Sequence, residues 1–349
     1  MVNLMRSLRN SGLRHGVAEW RSNMKTINWG IIGTGRIAHT FADALENTEN
    51  ACLKAVASRS LKKAQDFAKN HGFQKAYSSY SELAQDTDID VVYIATPMAS
   101  HYNDTLLCLN SGRNVLCEKS ISLNSEQLFQ MHDLAQQKNL FFMEAMWMKC
   151  RPVFLKAKEW VNSGKIGEIR YIKADFSNFV SYDPNDRLFR PDCGGGALLD
   201  LAVYPLTFSH AFLGVPDEIV SSANIRSGID VSNSILLRYK NGAFASLDSG
   251  FEVQLSNNAV IAGTEGIISF GNWFHCTDHV TLTDLYGNVL EDFICENEVN
   301  GYEYEVCEVQ RCLSEGMLES PLVPYSGTCD VMRIMDECRR QWGLVFPGE

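Results

Sequence analysis

Gly33, Gly35 and Ala38 hold the three small positions of a G-x-G-x-x-A turn, Gly33-Thr34-Gly35-Arg36-Ile37-Ala38. That spacing suits a phosphate group. The first glycine permits a tight turn, the second lets the backbone approach a pyrophosphate, and the small third residue lets a helix pack on its strand. A helix opening at Arg36 and Ile37 would present free N–H groups and the positive end of its dipole to an anion. The chemistry implied is dinucleotide binding, provided that a strand leads into the turn and a helix leaves it.

A second group of residues bears on which dinucleotide. Proteins that bind NAD usually place Asp or Glu at the end of the second strand, on the ribose hydroxyls. Here that position reads Ala57-Ser58-Arg59-Ser60, with no acid. Arg59 can pair with a 2′-phosphate, and Ser58 or Ser60 can donate to it. One hydrogen bond to a charged group contributes about 1.5–3 kcal/mol, roughly one to two orders of magnitude in affinity. The expected cofactor is therefore NADP, with NAD possible. Arg59 would otherwise be ordinary solvated surface.

The elements that must position these residues are legible from the pattern. Apolar runs at Ile27–Ile32, Cys52–Ala57, Val91–Ala95, Val115–Cys117 and Phe141–Met143 alternate with helical stretches. Strands that alternate with helices pair in parallel, and continuous apolar runs mean that both faces are covered. In such sheets ligands bind beyond the carboxyl ends of the strands. Four segments lie there: Gly33–Ala38, Ser58–Ser60, Thr96–His101 and Glu118–Lys119. Later strand-like stretches crowd together at 170–179, 218–226, 232–239, 243–252, 257–263 and 266–270, with Asn241-Gly242 as a hairpin signal. Helices are expected at 152–163 and 196–212, and two more near 302–313 and 328–342. The fold class is α/β. An N-terminal Rossmann domain with a doubly wound parallel sheet covers 24–146. A C-terminal α+β domain with an open, mainly antiparallel sheet covers 147–349. Residues 1–23 carry four arginines and a single acid, Glu19, and are expected to form a disordered extension.

Several separated motifs resemble those of the Gfo/Idh/MocA oxidoreductases. Tyr93-Ile94-Ala95-Thr96-Pro97 followed by His101 is similar to one of them, and Val115-Leu116-Cys117-Glu118-Lys119 to another. Glu144-Ala145-Met146-Trp147 and Gly194-Gly195-Gly196-Ala197-Leu198-Leu199-Asp200-Leu201-Ala202-Val203-Tyr204-Pro205 also match. The resemblance implies hydride transfer between a nicotinamide and a CH–OH or C=O group of a sugar, polyol or cyclic diol. It makes Lys119 and Tyr204 the catalytic pair, with Glu118, Thr96 and His101 near the cofactor. Asp200 and Trp147 are then expected on the substrate side. On an α-helix i and i+4 share a face, so Asp200 and Tyr204 are expected in one cleft. Tyr (pKa ~10) and Lys (pKa ~10.4) are poor bases at neutral pH unless shifted. Tyr204 is expected to exchange the proton, made more acidic by a charged Lys119, which orients the oxygen; the reverse assignment stays open. The chain departs from the family at Ser120, where proline is usual, and at Met98, where Asn is common. Arg187 and Arg190 stand just before the glycine run as possible substrate contacts.

Composition limits the alternatives. With 349 residues, 45% apolar and 21% charged, the chain has ordinary globular character. Its net charge of −11 disfavours general nucleic-acid binding. No segment reads as the ~20 apolar residues of a bilayer span. The eleven cysteines include no CxxC pair, so no metal cluster is expected, and reduced thiols point to the cytoplasm. A broad open sheet leaves a face to cover, so a homodimer or higher homo-oligomer is expected. The rival to an enzyme is a non-catalytic NAD(P)-sensing regulator of the same fold.

Overall fold

The computed structural model describes residues 25–295, 299–347 and 349, so the expectation for residues 1–23 lies outside the described residues. The first half runs β1 (Ile27–Ile32), α1 (Arg36–Glu46), β2 (Ala51–Ala57), α2 (Leu61–His71), β3 (Lys75–Tyr77), α3 (Tyr80–Gln85), β4 (Val91–Ile94), α4 (His101–Asn110), β5 (Asn114–Glu118), α5 (Ser125–Gln137) and β6 (Phe142–Ala145). The strands form one parallel sheet in the order β3-β2-β1-β4-β5-β6. Trp29, Ile31 and Ile32 of β1 are fully buried because helices cover both faces. Burying such a side chain contributes about 1.5–3 kcal/mol. Phe41 of α1 stacks on Tyr93 of β4 with ring centroids 3.6 Å apart. That contact seats α1 over the place where strand order reverses, between β1 and β4, which is where ligands bind in such sheets.

The second half contains α6 (Pro152–Asn162), β7 (Ile169–Ser177), α7 (Val203–Leu213), β8 (Glu218–Arg226), β9 (Ile229–Arg238), β10 (Phe244–Gly250), β11 (Ala259–Gly263), β12 (Ile267–Phe270), β13 (His279–Thr283), β14 (Val289–Ile294), α8 (Glu303–Ser314) and α9 (Tyr325–Trp342). Its eight strands are ordered β14-β13-β12-β11-β7-β10-β9-β8. Among the described residues of this sheet, only β7 and β10 pair in parallel. Helices α7 and α9 pack on the sheet. The expected hairpin at Asn241-Gly242 joins β9 to β10, with Gly242 at φ +84°.

Three strands escaped the sequence reading. β3 has three residues, all half-buried. β13 and β14 form the sheet-edge hairpin, where Val289, Leu290 and Ile294 face solvent instead of a core. The apolar run around α7 also needs a correction. Pro191–Leu213 is long and apolar enough for a bilayer span, contrary to the expectation, and 78% of its apolar window is buried inside the protein.

Candidate active site

The carboxyl ends of β1, β2, β4 and β5 open on one cavity of about 730 Å³. All four segments expected at the strand ends reach it. Gly33, Gly35, Arg36 and Ile37 line it from the first turn, Ser58 and Arg59 from the second, Thr96 and His101 from the third, and Glu118 and Lys119 from the fourth. Gly33 has φ +101°, and a Cβ there would stand 2.7 Å from the Ala95 carbonyl oxygen. Gly35 caps α1 with no side-chain hydrogen bond, and a Cβ there would meet nothing within 4 Å. The turn therefore leaves bare backbone toward the cavity, as a pyrophosphate requires.

Ser58 sits at the far end, its hydroxyl 3.4 Å from both Thr34 Oγ1 and the Ser60 N–H. Arg36, Arg59 and Lys63 line the same region. Among the described residues none of the three has an ion-pair partner, so their charge is available to an anion. The sequence reading missed Lys63, which lies in the first turn of α2, three residues after its N-cap Ser60. The capped helix start beside Arg59 was the available signal.

His101 is buried, and its two ring nitrogens lie 2.9 Å from the carbonyl oxygens of Ser120 and Thr96. Burial lowers its pKa to about 4, so at neutral pH the ring is uncharged and donates to one carbonyl at a time. It fastens the loop after β5 to the loop after β4. Ser120, in the place of the family's proline, follows a cis peptide, and its hydroxyl donates to the Leu199 carbonyl at 2.8 Å. Thr96 donates to Asp104 at 2.7 Å. Met98 is buried at the cavity wall.

Lys119 and Tyr204 come together across the two halves. The ammonium lies 5.1 Å from the centre of the phenol ring. It donates to the Asp200 carbonyl oxygen at 2.7 Å and approaches Asp200 Oδ1 at 3.4 Å. Arg187 reaches the same Oδ1 at 3.3 Å. Burial pushes the Asp200 carboxyl up, but Lys119 and Arg187 outweigh it and hold the group below the usual carboxylate value. Asp200 is thus an anion clamped between two cations. Arg190 pairs instead with exposed Asp192 and does not line the cavity.

Three expectations need correction. Trp147 does not line the cavity. It is buried behind Tyr204, donates from Nε1 to the phenol oxygen at 2.9 Å, and stacks on Tyr302 at 4.4 Å. Tyr302 itself lines the cavity. The Asp200–Tyr204 spacing is not α-helical, because Leu198–Ala202 forms a π-turn ahead of α7. The extra residue per turn still leaves both side chains on the cavity. Tyr204 is not acidified. Burial raises its pKa well above the ordinary value, Glu118 and Asp200 add to the rise, and the Trp147 donation offsets only part of it. Lys119 directs its ammonium at Asp200, so the phenol stays protonated.

The turn that carries Lys119 has a second anchor. Glu144 Oε1 accepts from the Ile121 N–H at 3.2 Å, and Oε2 accepts from Thr328 of α9 at 3.1 Å. Burial raises the Glu144 pKa to about 7, against ~4.3 in an unfolded chain. The folded state therefore binds more protons between those values, and this contribution to stability is lost as pH rises from about 4 through 7. Glu144→Gln mimics the protonated acid. Its thermal midpoint relative to wild type should rise between pH 5 and pH 8, and an unchanging difference would contradict the assignment.

Comparisons with known proteins agree with this geometry. Residues 27–146 match the model of the oxidoreductase family with an NAD-binding Rossmann fold, and residues 154–269 match the GFO/IDH/MocA C-terminal domain. Trans-1,2-dihydrobenzene-1,2-diol dehydrogenase of Xenopus laevis is 34% identical over 328 residues, 91% of this chain and 99% of that protein. The Homo sapiens protein of the same name is 33% identical over 333 residues, covering 93% and 99%. The crystal structure of KijD10, a 3-ketoreductase from Actinomadura kijaniata in complex with NADP and TDP-benzene, superposes with a TM-score of 0.81 at 25% identity, covering 90% of this chain and 98% of that one. With both domains matched and the relatives covered almost end to end, the chain belongs to the Gfo/Idh/MocA family of NAD-binding oxidoreductases.

Proposed function

We propose that the protein is an NADP-dependent dehydrogenase or reductase acting on a cyclic vicinal diol or a sugar. The observation that carries the reading is the convergence of Lys119 and Tyr204 in the cavity that also holds the glycine turn. The residues present fit a nicotinamide dinucleotide: bare backbone at Gly35, a serine beside Arg59 and Lys63, and a buried polar end at Glu118 and Lys119. When bound there, the dinucleotide supplies or accepts a hydride.

The chain's own residues handle the proton and the orientation. Lys119, held by the Asp200 carbonyl, polarises the substrate oxygen. Tyr204, a neutral phenol, gives its proton to that oxygen in reduction and is reprotonated from solvent; in oxidation it first releases its proton to solvent and then accepts that of the substrate hydroxyl. Trp147 holds the phenol oxygen in place. Asp200 and Arg187 are placed to bind a neighbouring hydroxyl. Phe176 lines the cavity with Trp273 edge-on to it at 6.2 Å, an apolar wall suited to a ring. The relatives named for trans-1,2-dihydrobenzene-1,2-diol support that substrate class. The assay is absorbance at the NADPH band with cyclic diols, sugars and the matching ketones. Turnover of none of them overturns the reading.

The cofactor preference has its own test. Arg59→Ala should weaken NADPH binding by roughly 10–100-fold and leave NADH binding unchanged. Calorimetry that shows equal losses for both would remove Arg59 from the 2′-phosphate.

Oligomer and compartment belong to the same proposal. The outer face of the second sheet exposes Tyr171, Val220, Leu236 and Phe244. Across the strands Phe244 neighbours Tyr171 and Arg238, and Val220 neighbours Leu236. Such a patch suits a self-complementary partner, and a monomer by light scattering would contradict it. Cys108, Cys117, Cys150, Cys329 and Cys338 are buried thiols, which fits a reducing cytoplasm.

A further inference from the structure

We propose that His71, Glu46 and Asp43 bind a divalent first-row transition-metal cation, with His39 orienting His71. The site is on the outer surface of the Rossmann half, away from the dinucleotide cavity. His39, Asp43 and Glu46 follow one face of α1 at i, i+4 and i+7. His71 comes from α2. One ligand atom each from Asp43, Glu46 and His71 lies within 4.8 Å of the others. His71 Nδ1 stands 2.8 Å from Glu46 Oε1 and 3.5 Å from Asp43 Oδ1. Its other nitrogen, Nε2, is 2.7 Å from His39 Nδ1.

Two independent features favour a cation here. The first is uncompensated negative charge. Among the described residues neither carboxylate is paired with lysine or arginine; His71 is their only partner. Glu46 is the last residue of α1 and His71 the last of α2. The C-terminal ends of two helices therefore converge on the site, each with a partial negative charge of roughly half an electron. The second feature is an orienting partner. His39 Nδ1 lies 2.7 Å from His71 Nε2 and holds that side of the ring. His71 Nδ1 is thereby turned toward the two carboxylates. Metal-binding histidines are held in this way, with the second nitrogen donating to an orienting acceptor. On binding, any proton on His71 Nδ1 leaves to solvent and the metal takes its place.

The ligand set selects the class of ion. Calcium and magnesium prefer oxygen alone. An imidazole with two carboxylates suits zinc, cobalt and their neighbours. The consequence is mechanical. α1 begins at the pyrophosphate turn and α2 begins beside Arg59, so a shared cation would fasten the far ends of the two helices that flank the dinucleotide.

Cobalt(II) tests this on the full chain after EDTA treatment, because its spectrum separates nitrogen and oxygen ligands from thiolates. The expected result is a single saturable site with d–d absorption, no thiolate charge-transfer band, and a raised thermal midpoint. Glu46→Gln and His71→Ala should each weaken binding at least about tenfold, and His39→Ala by roughly 10–100-fold. If His71→Ala fails to fold, Asp43→Asn with Glu46→Gln carries the test, since both carboxylates are exposed. Three results would overturn the site: no saturable binding, binding through a thiolate band, or binding unchanged in the carboxylate variants.

Discussion

Lys119→Ala should bind NADPH within a few-fold of wild type and turn over substrate roughly 10²–10⁴-fold more slowly, the range that a positioned proton-handling or polarising group contributes. The variant removes the ammonium that the proposed mechanism sets on the reacting oxygen. It also removes one of the two cations on Asp200, leaving Arg187 alone there. Asp200 then moves toward ordinary carboxylate behaviour, and binding of a second substrate hydroxyl weakens with it. Steady-state rates alongside calorimetric NADPH affinity make the check. A kcat loss without a loss of cofactor affinity places Lys119 in the chemical step. Equal loss of both would move it to the cofactor site, and near-normal turnover would end the proposed mechanism.

Tyr204→Phe should cost a similar factor in kcat, through a different atom. It deletes the phenol proton that the proposed mechanism delivers to the substrate oxygen. The change also leaves the Trp147 N–H without its partner. An unpaired buried donor costs about 1–3 kcal/mol, so the thermal midpoint should fall by a few degrees. The two effects separate by their pH dependence. Burial holds the phenol well above its ordinary pKa, so in the wild type the reductive rate should stay level through neutral pH and decline only in strong base. The residual rate of the phenylalanine variant should lack that alkaline decline. A variant that keeps both the wild-type rate and its alkaline limb would remove Tyr204 from proton transfer.

Much of the cofactor side could be read before any coordinates, because it depends on local backbone. Gly33 is needed for a positive φ, Gly35 for bare backbone, and the strand-end rule gathers Ser58, Thr96, His101 and Lys119 without knowledge of the second half. The substrate side depends on distance across the fold and on depth, which a linear pattern does not carry. Trp147 sits next to the right residues in sequence, yet its ring turns behind Tyr204. Tyr302 comes from a loop ahead of α8, about a hundred residues beyond Tyr204, and nothing near it in sequence marks it. The acidity of Tyr204 was misjudged for the same reason: the effect of Lys119 depends on where its ammonium points, and Asp200 takes it. The π-turn shows a related limit. The stretch Leu198–Ala202 looks alike in sequence whether its bonds close at i+4 or i+5.

The two halves are stitched on both flanks of the cleft. Ser120 to Leu199 and Lys119 to Asp200 tie one side, and Asn300 to the Thr40 carbonyl of α1, at 2.8 Å, ties the other. A clamshell motion would have to break both seams together. The Arg187 segment lines the same cavity and is held to Asp200. We expect the dinucleotide to fill the cavity before the substrate side is complete. Product-inhibition kinetics should then be sequential and ordered, with the dinucleotide first on and last off.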